Sequence, residues 1–296
     1  MQDKERIKNY AIGVDIGGTK MLAILFDCDK QEPVSDYKLA TPRDNLEKFL
    51  VMLWALIDPL IERARQDGAA LARIGIGAPG ILDQPTALNP EGRLIHCLNL
   101  PILDDISLGR LTSEKYNLPV LVDNDANCFL RAEMSLGAGR KSANAIGVTL
   151  GTGIGGAIGI NREVFQGPHG SAGELGYMIV DVVEGQPHTL EEIYQNLTQH
   201  NPLTTAQEAY DGDKLAMKIY EEVGRFIGLA LANAVNMADT EIIILGGSLM
   251  KSSDLFMRAV KKSLKAEIAS PKLKKIKVVP GKLEQAGAIG AALLKS

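Results

Sequence analysis

The sequence predicts a two-lobed α/β protein. Two strand-like runs, Ala11–Ile16 and Ala145–Leu150, each end in a glycine-rich turn and are each followed by a second strand-like run. The turns are Gly17-Gly18-Thr19-Lys20 and Gly151-Thr152-Gly153-Ile154-Gly155-Gly156, about 135 residues apart. A third turn, Gly246-Gly247-Ser248, closes the apolar run Ile242–Leu245. Without a Cβ, a glycine backbone can approach phosphate oxygens and present N–H groups to them, and Thr19 and Thr152 add hydroxyls. Either turn alone also reads as a tight hairpin connection. Together they suggest two similar lobes facing one nucleotide.

The elements follow from periodicity. Residues 10–16 and 21–27 read as a strand pair. Leu46–Arg65 reads as a helix with Phe49, Leu50, Leu53, Trp54, Ile57, Leu60 and Ile61 along one side, kinked or broken at Pro59. Ile74–Ala78 is a buried strand running into Pro79-Gly80. Val120–Val122 is a short strand that ends at Asp123-Asn124-Asp125, before a helix from Ala126 to about Leu136. In α/β folds the carboxyl end of a strand is where ligands bind. The second half repeats the theme with strands around the second turn, a helix over Leu215–Met237, the Ile242–Leu245 strand, a late strand at Ile276–Val279 and a small apolar helix at Gly287–Leu294. The expected lobes are 1–121, rejoined by a C-terminal helix at 284–296, and 122–283.

Composition narrows the function classes. The chain has 296 residues, 46% of them hydrophobic, with a formal net charge of −4. That is enough to bury a substantial core, and it lacks the basic excess of a nucleic-acid binder. The lysines at 261, 262, 265, 272, 274, 275 and 277 read as a solvated helix face and loop. Cys28, Cys97 and Cys128 are scattered and odd in number, which points away from disulfides and toward a reducing compartment. The polar start and the lack of a membrane-length apolar run suggest a cytoplasmic protein with no membrane partner.

These pieces resemble the actin-like ATPase (ribonuclease H-like) fold, with mixed sheets flanked by helices. Within it they are similar to the ROK family of sugar kinases and repressors. Five segments stand in the family's order: Asp15-Ile16-Gly17-Gly18-Thr19-Lys20, Asn124-Asp125-Ala126-Asn127, Gly151-Thr152-Gly153-Ile154-Gly155-Gly156, Gly167-Pro168-His169-Gly170-Ser171-Ala172-Gly173-Glu174-Leu175-Gly176-Tyr177, and Leu245-Gly246-Gly247-Ser248.

The resemblance implies ATP-dependent phosphorylation of a hexose at its 6-hydroxyl, glucose most simply, with sugar and ATP as partners. Asp125 resembles the general base; its plain alternative is a helix N-cap. Asp15 resembles the Mg²⁺-side carboxylate, acting through water; its alternative is a turn-initiating aspartate. ATP would be held by Asp15, Gly17, Gly18, Thr19, Lys20, Gly151, Thr152, Gly153, Gly246 and Gly247. The sugar would meet Gly80, Asn99, Asn124, Asp125, Glu174, Tyr177 and Glu191. Glu191 reads equally as an exposed helix glutamate. A homodimer is expected by analogy with relatives.

The chain departs from the pattern at one place. Many members hold zinc with one histidine and three cysteines. Here the histidine position is Tyr177, and Asp181–Thr189 contains no cysteine, so no zinc is expected. Kinases for N-acetylmannosamine, fructose or another hexose, a polyphosphate donor, and a non-catalytic sugar sensor share the remaining residues. Repressors carry a DNA-binding module ahead of this fold, and only nine residues precede the first strand here.

Overall fold

The computed structural model describes residues 8–83 and 92–295. In chain order the first elements are β1 (Asn9–Ile16), β2 (Lys20–Asp27), β3 (Glu32–Ala40), α1 (Leu46–Gln66), β4 (Ala70–Ala78), β5 (Ile81–Asp83), β6 (Arg93–Ile95), α2 (Leu108–Tyr116), β7 (Val120–Asn124) and α3 (Asp125–Ser135). The chain continues through β8 (Ala145–Leu150), β9 (Ile154–Ile160), β10 (Glu163–Val164), β11 (Ile179–Val183), β12 (Gln186–Thr189), α4 (Leu190–Leu197), α5 (Pro202–Tyr210) and α6 (Lys214–Ala238). It ends with β13 (Ile242–Gly246), α7 (Ser253–Glu267), β14 (Lys277–Pro280) and α8 (Ala286–Ala292).

Two compact units result. One holds the chain through Ala132, the short stretch Gln166–Ser171 and everything from Glu284 onward; the other holds Glu133–Phe165 and Ala172–Leu283. The chain leaves the first unit after Ala132, later than the 121/122 boundary expected from sequence. The reason is that β7 pairs with β4 in the first sheet, and α3 packs on α8 so closely that a Cβ at Gly290 would lie 1.7 Å from the Cys128 carbonyl oxygen.

The first unit is built on a sheet of order β3-β2-β1-β4-β7, and the second on a sheet of order β10-β9-β8-β13-β14. Directions match as well. The first three strands of each form an antiparallel meander, and the remaining two add in parallel. The repeat suggested by two glycine turns is therefore a repeat of topology, and both turns join equivalent strands.

Alternation along β1 sorts its neighbours. Ile12, Val14 and Ile16 are fully buried in a core shared with Phe49, Leu53, Leu56 and Leu60 of α1. Gly13 pairs with Gly75 of β4, and a Cβ on either would fall within 2 Å of an α8 carbonyl, at 1.9 Å from Ala288 and 1.8 Å from Ala291. This glycine bed seats α8 on the opposite face. Asp15 shares the face of Gly13.

Pro59 lies inside α1 without ending it. Proline removes the bond to the carbonyl of Ala55, but Ala55 is exposed to water, and buried Leu56, Ile57 and Leu60 hold the helix against the sheet. The lysine cluster is exposed on α7, the following loop and β14. A cavity of about 280 Å³ between α7 and β14 is rimmed by Lys261, Lys265 and Lys277, and none of the site residues singled out in the sequence lines it. Among the described residues no helix is long and apolar enough to cross a membrane.

Candidate active site

In the first unit, Asp15, Asn124 and Asp125 stand at the carboxyl ends of parallel strands. Asp15 of β1 pairs with Gly77 of β4, and Gly77 pairs with Asp123 of β7. Asp123 is buried and fixed from three sides. It accepts from the Asn124 N–H at 2.8 Å, from Asn127 Nδ2 at 2.9 Å and from Arg131 at 2.7 Å. This ion pair locks the start of α3 to the end of β7.

Asn124 then does what the sequence offered as a role for Asp125. Its Oδ1 accepts from the N–H groups of Ala126 at 2.8 Å and Asn127 at 3.2 Å, capping α3. Its Nδ2 donates to the Gly80 carbonyl at 2.9 Å. One amide hydrogen is left for a ligand. Asp125 stands at the first turn of α3 with its Oδ1 2.9 Å from the Ala126 N–H.

The Pro79-Gly80 turn is held from the other side. Gly80 has φ +99°, and a Cβ there would meet the Cys97 sulfur at 2.5 Å. Cys97 Sγ donates to the Pro79 carbonyl at 3.2 Å. Asn99 follows two residues later, exposed, and its backbone lies against Gly18 of the first glycine turn. The family of contacts thus links Gly18, Asn99, Gly80, Asn124 and Asp125.

Electrostatics tie Asp15 to this group. Asp15 is half-buried, and desolvation pushes its carboxyl up to about 6 against the pull of Lys20. The Cys128 thiol is raised well above its usual range, first by burial and then by Asp123, with Asp15 and Asp125 adding to the effect. Both carboxylates therefore act on one buried sulfur. A desolvated carboxylate is a hard oxygen donor that gains from a cation brought beside it, and Asp15 fits a Mg²⁺ held through water.

The first glycine turn is braced by Thr41, whose Oγ1 donates to the Gly17 carbonyl at 2.7 Å. A trans peptide points its N–H opposite its carbonyl, so the Gly18 N–H is turned away from Thr41. The second turn, in the second unit, is built the same way by α4. Tyr194 donates to the Gly151 carbonyl at 2.7 Å and Gln195 to the Thr152 carbonyl at 2.6 Å. Glu191 accepts from the Ile154 N–H at 2.7 Å and from Gln195 at 2.7 Å. Positions i, i+3 and i+4 share a helix face, so one face of α4 grips the turn and directs the Thr152 and Gly153 N–H groups away from the helix. That is the orientation an anion requires.

Glu191 is thus half-buried and structurally engaged, not an idle surface glutamate. Burial raises its carboxyl, against the pull of its two hydrogen bonds. Tyr177 is exposed, and its hydroxyl is raised first by burial and then by Glu174 and Glu191, which puts these three side chains in one neighbourhood. The third glycine turn adjoins the second: a Cβ at Gly247 (φ +92°) would fall 2.2 Å from the Leu150 carbonyl, and one at Gly151 would lie 3.5 Å from Ser248 Oγ. Gly246 and Gly247 are thereby brought to the second glycine turn.

Sequence reasoning missed Asp123, Arg131, Thr41, Tyr194 and Gln195. Only α4 announced itself: Thr189 and Glu192 form a capping box in the structure, and Thr189-x-x-Glu192 is legible in the chain. Tyr177 lies on a single 3₁₀ turn, Leu175–Tyr177. The cysteines are free thiols in the first unit. Among the described residues, no three His, Cys, Asp or Glu side chains come together at metal-binding spacing.

Comparison with known proteins gives the family and the fold. The ROK family profile matches residues 11–296. The chain is 30% identical to an N-acetyl-D-glucosamine kinase of Mannheimia succiniciproducens, over 95% of this chain and 98% of that protein. It is 24% identical to a xylose repressor of Caldicellulosiruptor bescii, over 92% of this chain and 74% of the repressor. A ROK family glucokinase from Streptomyces griseus, solved with glucose and AMPPNP, superposes with a TM-score of 0.78 at 26% identity, covering 96% of this chain and 98% of that one.

Proposed function

This chain belongs to the ROK family, and from that premise we propose that it is an ATP-dependent hexose kinase acting on the 6-hydroxyl, with glucose as the first candidate substrate. The observation that carries the reading is the division of labour at the start of α3. Asn124 supplies the helix cap, which supports reading Asp125, beside it at the carboxyl end of β7, as the general base and not as the cap.

In this reading Asp125 accepts the proton of the sugar hydroxyl as its oxygen attacks the γ-phosphorus, and ADP leaves. General-base assistance of this kind is worth about 10²–10⁴-fold. The N–H groups of Gly18, Thr152 and Gly153 hold phosphoryl oxygens, since phosphoryl transfer is mostly positioning and charge neutralisation. Asp15 would hold Mg²⁺ through water, and the bound ion would neutralise charge on the phosphates. Lys20 and Thr19 add donors on the first turn, and Gly246 and Gly247 border the adenosine side. Asn99, the remaining amide hydrogen of Asn124, Glu174, Glu191 and Tyr177 orient the sugar hydroxyls, with Gly80 lining the pocket through its backbone. No zinc is required by this arrangement.

The N-acetyl-D-glucosamine kinase relative favours one second reading, an N-acetylhexosamine kinase with the same catalytic groups. The test is coupled ADP release with Mg-ATP and a panel of hexoses and N-acetylhexosamines, wild type beside Asp125→Ala. Sugar-dependent release that disappears in the variant supports the kinase and names its substrate. Sugar binding by calorimetry with no sugar phosphate formed from ATP or from polyphosphate would replace the kinase with a sensor.

A further inference from the structure

One buried carboxylate stands outside the chemistry above. Glu133, in the last turn of α3, is fully buried. Its Oε2 accepts from the Ala138 N–H at 2.7 Å. Its Oε1 accepts from the N–H groups of Lys282 and Leu283, both at 2.8 Å, which lie 149 and 150 residues further along the chain. Burying a charge is costly, and a well-packed apolar side chain would fill the same space more cheaply. What a carboxylate adds is direction: charge-assisted bonds that fix one backbone segment against another. Gly137 keeps the space clear, since a Cβ there would fall 2.0 Å from Glu133 Oε2.

The two segments it joins have consequences at the site. Glu133 is the first residue of the second unit, and Lys282-Leu283 are its last two. Two of the four main-chain passages between the units, at 132/133 and 283/284, thus run beside this side chain. Upstream of Glu133, α3 begins at Asp125. Downstream of Leu283, α8 brings Gly287 against the Asp15 carboxylate, where a Cβ would lie 2.5 Å from it. The same two helices touch again at Gly290 and Cys128.

We propose that Glu133 is a positioning residue for phosphoryl transfer: by tying the end of α3 to the approach of α8, it sets where Asp125 and Asp15 stand. The proposal rests on the kinase reading for its effect on rate, but the mechanical link does not. Glu133→Gln keeps the shape and one acceptor while setting an N–H₂ against a backbone donor. Gly137→Ala displaces the carboxylate and keeps its charge.

Both variants are compared with wild type by kcat and KM, by calorimetric sugar binding, and by amide hydrogen exchange. The expected result is sugar binding at one per chain with affinity within a few-fold of wild type, and kcat lower by about 10²-fold, the cost of a small misplacement of reacting groups. Exchange should quicken at both ends of the link, in residues 125–135 and in 282–290. Wild-type kcat per folded molecule in both variants overturns the proposal. So does faster exchange confined to 133–139. Should wild type itself form no sugar phosphate from ATP or polyphosphate with any sugar, the kinase reading fails, and the exchange pattern alone decides whether the link exists.

Discussion

The backbone of Gly287 lies against the carboxylate of Asp15, with room for no side chain: a Cβ would stand 2.5 Å from the carboxylate carbon. Asp15 reaches this spot because it shares the glycine face of β1, on which α8 is seated. Gly287→Ala is expected to push the carboxylate aside. Overpacking costs about 1–3 kcal/mol of stability. Activity should fall at least about tenfold, with sugar affinity retained, since the reacting groups lose their alignment. Thermal unfolding and steady-state kinetics on the same preparation check both parts. Unchanged kcat would remove Asp15 from the machinery.

Asn124 and Asp125 should separate stability from catalysis. Asn124→Ala removes the cap of α3 and the tie to Gly80, and should lower stability by about 1 kcal/mol or more. Asp125→Ala leaves the cap in place and should leave the unfolding midpoint close to wild type, while turnover falls by about 10²–10⁴-fold. The opposite pairing, a destabilised Asp125→Ala and a stable Asn124→Ala, would exchange their roles.

Tyr194→Phe removes only the hydroxyl that holds the Gly151 carbonyl. A net hydrogen bond is worth about 0.5–1.5 kcal/mol, so the KM for the nucleotide should rise about two- to tenfold. Sugar affinity measured without nucleotide should stay put. A variant whose sugar affinity moves and whose nucleotide KM does not would contradict the assignment of the Gly151–Gly153 turn to phosphate.

The thiols give a prediction about reactivity. Burial and Asp104 push the Cys97 thiol up to about 12, burial and Asp123 push Cys128 well up, and burial raises Cys28 more mildly. The thiolate is the reactive form, and its population falls as the pKa rises above the working pH. At pH 8 the native protein should resist alkylation at Cys97 and Cys128, and unfolding should release all three cysteines to the reagent. Mass spectrometry of the labelled chain reads the positions directly. Rapid native labelling of Cys97 would show the Pro79-Gly80 turn to be open.

The grip of α4 shows why part of the site was hidden in the chain. Tyr194 and Gln195 are ordinary helix residues until the fold sets them under the second glycine turn. Nothing in their own neighbourhood says that a turn some 40 residues earlier needs its carbonyls held. The same holds for Glu133, which binds backbone 149 residues away. Pro59 is the converse case: a local rule predicts a break, and burial on both sides of it overrides the rule.

By itself the sequence determined the two-lobed α/β plan, the repeated strand–turn–strand unit and the positions of the glycine turns, because these depend on short-range patterns of alternation and glycine content; the family resemblance singled out the two aspartates. Only the tertiary structure decided that Asn124 caps α3 in place of Asp125, that Glu191 braces a turn, that α8 packs on Asp15, and that the boundary falls after Ala132. The cap is local, settled by which of two adjacent side chains turns back on the helix; the other outcomes depend on which distant segments meet, and contacts between distant segments leave no periodic trace in the chain.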